Sequence, residues 1–336
     1  MSFQNEYNCH MSKKRKQSLT KGEGHLAGPE GQAVHLARRA FLGGAGALVA
    51  RGALTARLPL LSSAILGISC SPAGAAAESE KRPTRSARKR ASRGALITCM
   101  QDAKAFKSGE HVATRVREMV LRTVAAAVDV KKPDEAFRAL FQPRDIVAIK
   151  VNCLAGPGLS SSPSVVDALV SGLRSIGIPY KNIYIWERTT VELRKAGFVI
   201  NHHSDSRPRC YGNDEGGFES RLEFSGEVGS LWSNILAKRA TALINVPVLK
   251  DHDLSGVGCG MKNMYGAIHN PNRYHDNNCD PYVADVSAHR YVKDKLKLVV
   301  ADALTAQYHG GPAKVATHQW RPAKLFASTD PVALDR

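Results

Sequence analysis

The sequence lacks the features that would place it in several large classes of proteins. It has no run of about 18 uncharged apolar residues, the length that a membrane-spanning helix needs, and aromatic residues make up only 6% of the chain. A Gly-x-Ser-x-Gly turn, a Gly-Lys-Ser/Thr phosphate loop and a dinucleotide-binding glycine fingerprint are all missing. We therefore expect no stable membrane span after processing, and none of the hydrolase or nucleotide-binding functions that these motifs mark.

Cysteine is sparse and scattered. None of the seven Cys residues forms a Cys-x-x-Cys run, the spacing typical of many metal and redox sites. Cys9 and Cys70 precede the cleavage point predicted below, so five Cys residues remain after it. Cys153 and Cys259 each lie three residues from a lysine, and a nearby cation lowers the pKa of a thiol. Both are candidate reactive thiols, and the alternative for each is a small buried apolar residue.

Acidic residues are too few to balance the basic ones, since 47 Lys+Arg against 30 Asp+Glu give a net charge of +17. Residues 1–93 hold 16 Lys+Arg and 5 Asp+Glu, which leaves 31 basic and 25 acidic residues for the rest of the chain. Most of the excess charge therefore belongs to the N-terminal region. A nucleic-acid site needs basic residues clustered on the folded part, so we predict no nucleic-acid partner.

Residues 1–77 are predicted to be a disordered N-region that ends in an export signal. The motif Arg-Arg-Ala-Phe-Leu at 38–42 precedes a weakly apolar stretch, and three Ala residues at 75–77 offer a cleavage site. Paired arginines of this kind are typical of a bacterial twin-arginine signal. We predict export to the periplasm by the twin-arginine machinery, with a disordered basic tail as the alternative. Residues 78–93 are predicted to be a charged linker.

From residue 94 to residue 336, apolar runs of strand length alternate with segments of helical period. The strands are predicted at Ala95–Met100, Asp145–Val151, Ile183–Trp186, Ala242–Leu249, Leu296–Ala301 and Lys324–Ala327, and the main helices at His111–Val130, Ser162–Ile176, Ser230–Arg239 and Asp280–Tyr291. This alternation favours one α/β domain with a mostly parallel sheet and helices on both faces. The chain stops at Arg336, which leaves no room for a helix after Asp330 and indicates a truncated C-terminus.

Polar side chains follow several predicted strands at the point where each strand ends. The carboxyl ends of parallel strands meet at one edge of the sheet, where open α/β sheets bind ligands. We therefore expect these side chains to converge, although any single one could merely mark the return of a strand to solvent. They are Lys150 and Asn152, Glu187, Lys250 and His252, Asp302, and Asp330.

The stretch Asn245–Gly266 concentrates such residues. Its apolar strand ends at Lys250 and His252, glycines follow at 256, 258 and 260, and Lys262 and Asn263 close the turn. Ammonium groups and free backbone N–H groups together bind anions without a metal. We predict a small anionic ligand here, with solvated lysines on a loop as the alternative. The predicted ligand-binding residues are Lys150, Asn152, Lys250, Lys262, Asn263 and Asp330.

Histidine and cysteine residues near this stretch leave a metal ion open as a cofactor. His252, His275 and Cys279 fall within 28 residues, and the last two are four residues apart. Side chains of these types bind zinc and similar metals. Their spacing matches no recognised metal motif, so the cofactor stays unknown and a metal ion is one option.

Several short motifs together resemble a known family. Ile-Lys-Val-Asn at 149–152, Val-Pro-Val-Leu-Lys-Asp-His at 246–252, Gly-Met-Lys-Asn-Met-Tyr-Gly at 260–266 and Ser-Thr-Asp-Pro-Val-Ala-Leu-Asp at 328–335 are similar to the family called domain of unknown function 362. The resemblance runs from about residue 95 to the end and implies an α/β domain, but no activity. Asn-Pro-Asn-Arg-Tyr-His at 270–275, Cys279 and Gly-Gly-Pro at 310–312 resemble a branch with twin-arginine signals. Some relatives carry a ferredoxin-like segment with closely spaced cysteines; this sequence has none, so an iron–sulfur cluster of that type is not supported.

Two functions fit these residues. The first is an exported enzyme for a small anionic substrate, in which the lysines stabilise developing negative charge and the asparagines orient the substrate. In this enzyme His252, Glu187 or Asp302 would move protons. The second is a carrier protein that holds a metal or an anionic cofactor with the same residues and does no chemistry. Turnover of a substrate separates the two.

Overall fold

The computed structural model of the protein describes residues 95–336, so the predicted signal and linker lie outside the described residues. The strands are β1 Thr98–Gln101, β2 Phe106–Lys107, β3 Glu110–His111, β4 Val147–Val151, β5 Ile183–Trp186, β6 Arg209–Cys210, β7 Glu223–Ser225, β8 Val228–Ser230, β9 Ala242–Val246, β10 Val248–His252, β11 Gly256–Val257, β12 Leu296–Gln307, β13 Gln319–Trp320 and β14 Lys324–Ser328. The α-helices are α1 Ala113–Ala127, α2 Pro133–Leu140, α3 Pro163–Ser175, α4 Thr190–Lys195, α5 Asn213–Gly216, α6 Tyr282–Ala288, α7 Arg290–Lys293 and α8 Pro331–Asp335. The 3-10 segments are Ala103–Ala105, Tyr180–Asn182, Lys262–Ala267, Pro271–Cys279 and Ala316–His318, and Ile235–Arg239 is a π-helical turn.

The central sheet has the strand order β1-β14-β12-β9-β4-β5-β6. Strands β12, β9, β4, β5 and β6 are parallel to one another, whereas β14 is antiparallel to both β12 and β1. Strands β9 and β10 follow one another in the chain, separated only by Pro247, and both pair in parallel with β12. The predicted α/β fold with a mostly parallel sheet is confirmed. Within the described residues no helix is long and apolar enough to cross a membrane.

Alternate residues of the central strands enter two apolar cores, one on each face of the sheet. Ile149 of β4 belongs to the core that includes the buried sides of α1, α2 and α3. Ala148 of β4 and Trp186 of β5 belong to the other core, together with residues of the 3-10 segment 262–267, α6 and α7. Helices therefore lie on both faces, as predicted. Because side chains alternate along a strand, Lys150 points to the same face as Ala148.

Helix α3 begins where the sequence predicts. Ser162 is the N-cap residue, Pro163 occupies the first helical position, and Gly177 follows the end of the helix with a φ of 96°. Proline is tolerated at that position because the first N–H groups of a helix have no partner within it. Helix α3 passes close to α2 at Gly172, where the Phe137 ring occupies the space that a side chain would need.

Four predicted elements differ from the structure. The predicted helix Ser230–Arg239 is reduced to the π-helical turn Ile235–Arg239, and Ser230 belongs to β8. Strand β12 continues past Asp302 to Gln307, because β10 pairs with one of its edges and β14 and β13 pair with the other. The predicted helix Asp280–Tyr291 contains two helices, α6 and α7, which the extended backbone of His289 separates. Helix α8 does form after Asp330, so the prediction that the chain has no room for it is wrong.

Candidate functional site

A cavity of about 200 Å³ lies beyond the carboxyl ends of β4 and β5 and beside β10. The segment 258–275 and Pro312 complete its walls. The structure therefore brings together the polar ends of β4, β5 and β10, while the functional roles of these residues stay predictions. The predicted residues that line the cavity are Asn152, Glu187, Lys250, His252, Lys262, Asn263 and His275.

Lys150 and Glu187 form a buried ion pair at the base of the cavity. The Lys150 side chain is fully buried, and its Nζ lies 3.1 Å from each carboxylate oxygen of Glu187. The same Nζ donates to the carbonyl oxygen of Val151 at 2.6 Å, and the backbone N–H of Arg188 donates to Glu187 Oε2. Lys150 was predicted to bind the ligand, but its charge is taken up by Glu187 and it does not line the cavity.

Gly266 makes the position of this ion pair possible. A Cβ atom at residue 266 would lie 2.7 Å from both Cε and Nζ of Lys150 and 3.3 Å from Glu187 Oε2. Contacts below 3 Å are essentially never made by a real Cβ, so any larger residue would displace the ammonium group. The glycine at the end of the turn is therefore required by the close approach of a charged side chain.

Three asparagines form a hydrogen-bonded chain behind the cavity. Lys250 Nζ donates to Asn152 Oδ1 at 3.0 Å, and Asn152 Nδ2 donates to Asn263 Oδ1 at 3.1 Å. Asn263 Nδ2 donates to Asn245 Oδ1 at 2.8 Å, and Asn245 Nδ2 donates to the carbonyl oxygen of Gly260 at 2.6 Å. Each amide is thus fixed in orientation by the next, and the chain connects β4, β9 and β10 to the glycine-rich turn.

Three cations of the described residues line the cavity, and of these Arg188 is paired with Glu192, whereas Lys250 and Lys262 have no carboxylate partner. Lys250 Nζ also donates to the carbonyl oxygen of Pro312 at 3.5 Å. Lys262 Nζ lies 3.1 Å from His275 Nε2 and 3.7 Å from the centre of the Tyr265 ring. Neither lysine forms an ion pair with a carboxylate of residues 95–336. Burial lowers the pKa of each to about 8, because the loss of water around the ammonium group outweighs the attraction of more distant acidic groups, Glu187 for Lys250 and Asp253 for Lys262.

His252 and His275 stack beside the two lysines, with ring centres 5.7 Å apart. Burial, followed by the positive charge of Lys262, lowers the pKa of His252 to about 4 and also lowers that of His275. His252 Nδ1 accepts from two backbone N–H groups at 3.3 Å, which leaves the proton of the neutral ring on Nε2. His275 Nδ1 donates to the carbonyl oxygen of Pro271 at 3.0 Å, so its Nε2 accepts from Lys262.

The predicted metal ligands His252, His275 and Cys279 are not gathered into a ligand set. Both ring nitrogens of His275 have partners, and the buried Cys279 contacts the Tyr265 hydroxyl. In the part of the chain that the structure describes, no group of three or more His, Cys, Asp or Glu side chains could hold a metal ion. Metal binding stays a prediction.

Asp302 and Asp330 were expected at the same edge of the sheet as the other polar residues, and this expectation is wrong for Asp330. Asp302 does lie at that edge, level with Val248 and just past the end of β9, but on the face that α3 covers. Asp302 lies within β12, and its oxygens accept from the backbone N–H groups of Ser162 at 2.8 Å and Leu304 at 3.0 Å. Burial raises the pKa of Asp302. Asp330 follows β14, which is antiparallel, so it lies toward the opposite edge and caps α8. Neither residue lines the cavity.

The glycine-rich turn binds a carboxylate of the protein itself. The backbone N–H groups of Gly260 and Met261 donate to the two oxygens of Asp335 at 2.6 and 2.7 Å. These two N–H groups, which were predicted to bind an external anion, are therefore already hydrogen-bonded within the protein. Burial also raises the pKa of Cys153 and of Cys259, so the expectation that nearby lysines activate these thiols is wrong. At Cys153, desolvation of the thiolate outweighs the attraction of Lys150, and at Cys259 the carboxylate of Asp335 adds to the effect of burial.

Four contributors to the site were not predicted from the sequence: Asn245, Arg188, Tyr265 and Asp335. Asn245 carried a usable signal, because it is the one strongly polar residue in the otherwise apolar run 242–249. Arg188 and Tyr265 line the cavity, but no local pattern distinguishes them from surface or core residues. Asp335 reaches the turn only because α8 folds back toward it.

Comparisons with known proteins yield a family but no curated relative. The family model described as "Domain of unknown function (DUF362)" matches residues 147–336. A crystal structure of a Thermotoga maritima protein from the Northeast Structural Genomics Consortium is similar at 10% identity with a TM-score of 0.37. That match covers 68% of this chain and 58% of the other, so this chain spans little more than half of its length. No curated protein matches this chain significantly.

Proposed function

This chain belongs to the DUF362 family, whose description names no activity, and we propose from the cavity itself that the protein is an enzyme acting on a small anionic substrate. The observation that carries the proposal is the pair Lys250 and Lys262. One buried and one half-buried ammonium group face the same cavity, and neither forms an ion pair with a carboxylate of the described residues. Like charges held together in a low-dielectric site are unfavourable unless an anion neutralises them.

The remaining residues have distinct roles in this proposal. Asn152 and Asn263 orient the substrate, since the hydrogen-bonded chain behind the cavity fixes both amides. His252 is neutral near pH 7 and carries its ring proton on Nε2, so it can donate a hydrogen bond or a proton to a substrate oxygen. Glu187 is the carboxylate of the cavity, and Lys150 holds it in place. A volume of about 200 Å³ suits a substrate of few atoms.

Replacing each cavity lysine tests anion binding. We expect Lys250→Met and Lys262→Met each to weaken binding of inorganic phosphate, or of a co-purifying anion identified by mass spectrometry, by about ten- to hundredfold. Each substitution removes a charge-assisted contact of about 1.5–3 kcal/mol. Methionine keeps the apolar stem, so the melting temperature should not fall. Titration calorimetry at constant ionic strength measures the affinity.

Lys195→Met provides the matched control, because Lys195 is exposed on α4. Parental affinity in both cavity variants would place the anion site elsewhere. Equal losses in all three variants would indicate non-specific attraction to a basic protein.

A carrier protein that binds a metal or an anionic cofactor without turnover is the second candidate. It is favoured by the same unpaired lysines and by the two stacked histidines in one cavity. His252→Gln separates the candidates, since glutamine keeps a hydrogen-bond donor but cannot transfer a proton at neutral pH. An enzyme should lose turnover of its substrate and keep binding, whereas a carrier should only bind.

We also propose that the protein is exported to the bacterial periplasm through the twin-arginine machinery. The support comes from the sequence at 38–42, Arg-Arg-Ala-Phe-Leu, the weakly apolar stretch after it and the three Ala residues at 75–77. Export would bring the free cysteines into an oxidising compartment.

A further inference from the structure

The three lysines at the cavity have three different environments. Lys150 is paired with Glu187, and Lys262 contacts His275 and the face of the Tyr265 ring. Lys250 contacts only neutral oxygens, Asn152 Oδ1 at 3.0 Å and the carbonyl oxygen of Pro312 at 3.5 Å. Neutral acceptors orient an amine without requiring that it carry a charge.

We propose that Lys250 is a nucleophile that forms an imine with a small carbonyl compound bearing an anionic group. The inference rests on the proposed anion-binding enzyme and adds the class of its substrate and the atom that reacts with it. In this assignment Lys262 holds the anionic group and Lys250 Nζ attacks the carbonyl carbon.

The geometry around Lys250 supports a reactive amine. Its side chain is 3% exposed yet lines the cavity, so a ligand in the cavity can reach Nζ while bulk water is largely excluded. Asn152 is itself held by Asn263, so the acceptor that orients Nζ is fixed. Burial favours the neutral amine, since it lowers the pKa of Lys250 to about 8. Desolvation together with a nearby cation, here Lys150, is a known way to obtain a nucleophilic amine.

The step balances without any further reactant. The lone pair of Lys250 Nζ forms a bond to the carbonyl carbon, the π electrons move to the carbonyl oxygen, and one amine proton moves to that oxygen. The resulting carbinolamine loses its hydroxyl group together with the second amine proton as water, and the C=N bond forms. His252 Nε2–H can donate a hydrogen bond to the oxygen while negative charge develops there.

Reductive trapping with glyoxylate tests the proposal. The folded protein, the same protein unfolded in urea, and the Lys250→Arg and Lys195→Met variants are treated with glyoxylate and sodium cyanoborohydride, and the modified lysines are mapped by peptide mass spectrometry. We expect the main modification of the folded protein at Lys250, loss of this preference in urea, and no change with Lys195→Met. Lys262→Met should reduce trapping of glyoxylate about tenfold or more, by removal of one charge-assisted contact, and leave trapping of uncharged acetaldehyde unchanged.

Each outcome decides the proposal. Modification spread evenly over exposed lysines, or concentrated at Lys262, overturns it, as does equal trapping of glyoxylate by the parent and Lys262→Met. If inorganic phosphate binds with the expected dependence on both lysines while glyoxylate is not trapped, the imine is wrong and anion binding stands. If neither occurs, the proposed function fails as well.

Discussion

At the scale of single residues, the partner of each lysine in or behind the cavity wall decides what that lysine does. Lys150 Nζ is paired with the Glu187 carboxylate. Removing one member of such a buried pair typically lowers the free energy of unfolding by about 3–5 kcal/mol, because the other charge stays buried without a partner. Lys250 and Lys262 have no such partner, so removing either charge relieves an unfavourable burial instead. The first lysine therefore maintains the structure of the site, and the other two are free to bind.

His252 should make stability depend on pH in the acid range. Its folded-state pKa of about 4 is below the ordinary value of 6.5, so between these pH values the unfolded chain binds a proton that the folded chain does not. The free energy of unfolding therefore rises with pH across this window. The contribution of the neutral His252 ring is fully present above pH 6.5 and is lost as the pH falls from 6.5 toward 4. The free energy of unfolding should decrease between pH 7 and pH 5, and we expect this decrease to be smaller in His252→Gln by on the order of 1–2 kcal/mol. Urea denaturation at each pH measures it.

His309→Gln, at an exposed position, serves as the control and should follow the parent. Some pH dependence will remain in His252→Gln, because burial lowers the pKa of His275 and of His289 as well. An unchanged difference between pH 7 and pH 5 in His252→Gln would contradict the burial of a neutral ring at this position.

At the scale of elements, strand β10 determines that Lys250 and His252 share the cavity. Residues two apart in a strand point to the same face, and the burial of β10 alternates accordingly. Asp251 points the other way, and its carboxylate accepts from the backbone N–H of Gly311 at 3.0 and 2.9 Å. The same strand thus supplies two cavity residues and fixes the loop that carries Pro312.

The contact between α2 and α3 should not tolerate a methyl group at Gly172. A Cβ there would lie 2.2 Å from Cζ of the buried Phe137 ring. Alanine gains about 0.5–1 kcal/mol over glycine in a helix interior, but forcing atoms into a packed core costs about 1–3 kcal/mol. We expect Gly172→Ala to lower the free energy of unfolding by about 1–2 kcal/mol in urea denaturation, by the difference of these terms.

Phe137→Leu in the same chain supplies the matched test. The smaller side chain makes room for the methyl group, so the double variant should be more stable than the sum of the two single effects predicts. If the two changes in unfolding free energy are additive, or if Gly172→Ala is as stable as the parent, the Phe137 ring accommodates the methyl group with little loss of stability.

At the scale of the whole molecule, the site combines residues from distant parts of the chain. The parallel strands β4, β5 and β10 deliver Asn152, Glu187 and Lys250 to one place because their carboxyl ends meet there. Strand β14 is antiparallel and carries Asp330 away from that place. Helix α8 then returns Asp335 to the glycine-rich turn, so the last described helix stabilises the middle of the site.

Export of the whole protein should depend on the paired arginines. We expect replacement of Arg38 and Arg39 together by lysine to retain the protein in the cytoplasm, because the proposed twin-arginine signal would be read through that pair. Immunoblots of periplasmic and cytoplasmic fractions measure the distribution, and Arg51→Lys, outside the pair, is the control. Recovery of the Lys-Lys variant from the periplasm at the parental level would remove the support for this route.

Much of the fold could be predicted because strand and helix periods are local properties. The alternation of apolar runs with helical segments indicated the parallel sheet, and Ser162 with Pro163 marked the start of α3. The residues of β4, β5 and β10 were also found, because a polar residue directly after an apolar strand is visible in the sequence. The direction of a strand is not a local property, which is why the position of Asp330 was predicted wrongly. The face on which Asp302 lies is not local either, so the sequence did not show that it turns toward α3 and away from the cavity.

The sequence by itself determined the family, the α/β class and the presence of lysine, asparagine and histidine around a glycine-rich turn. Only the tertiary structure decided which lysine has a carboxylate partner, since Lys150 and Glu187 meet through the pairing of β4 with β5. It also decided that the backbone N–H groups of the turn bind Asp335. Charge pairing and desolvation depend on distances in space, and distance along the chain does not specify them.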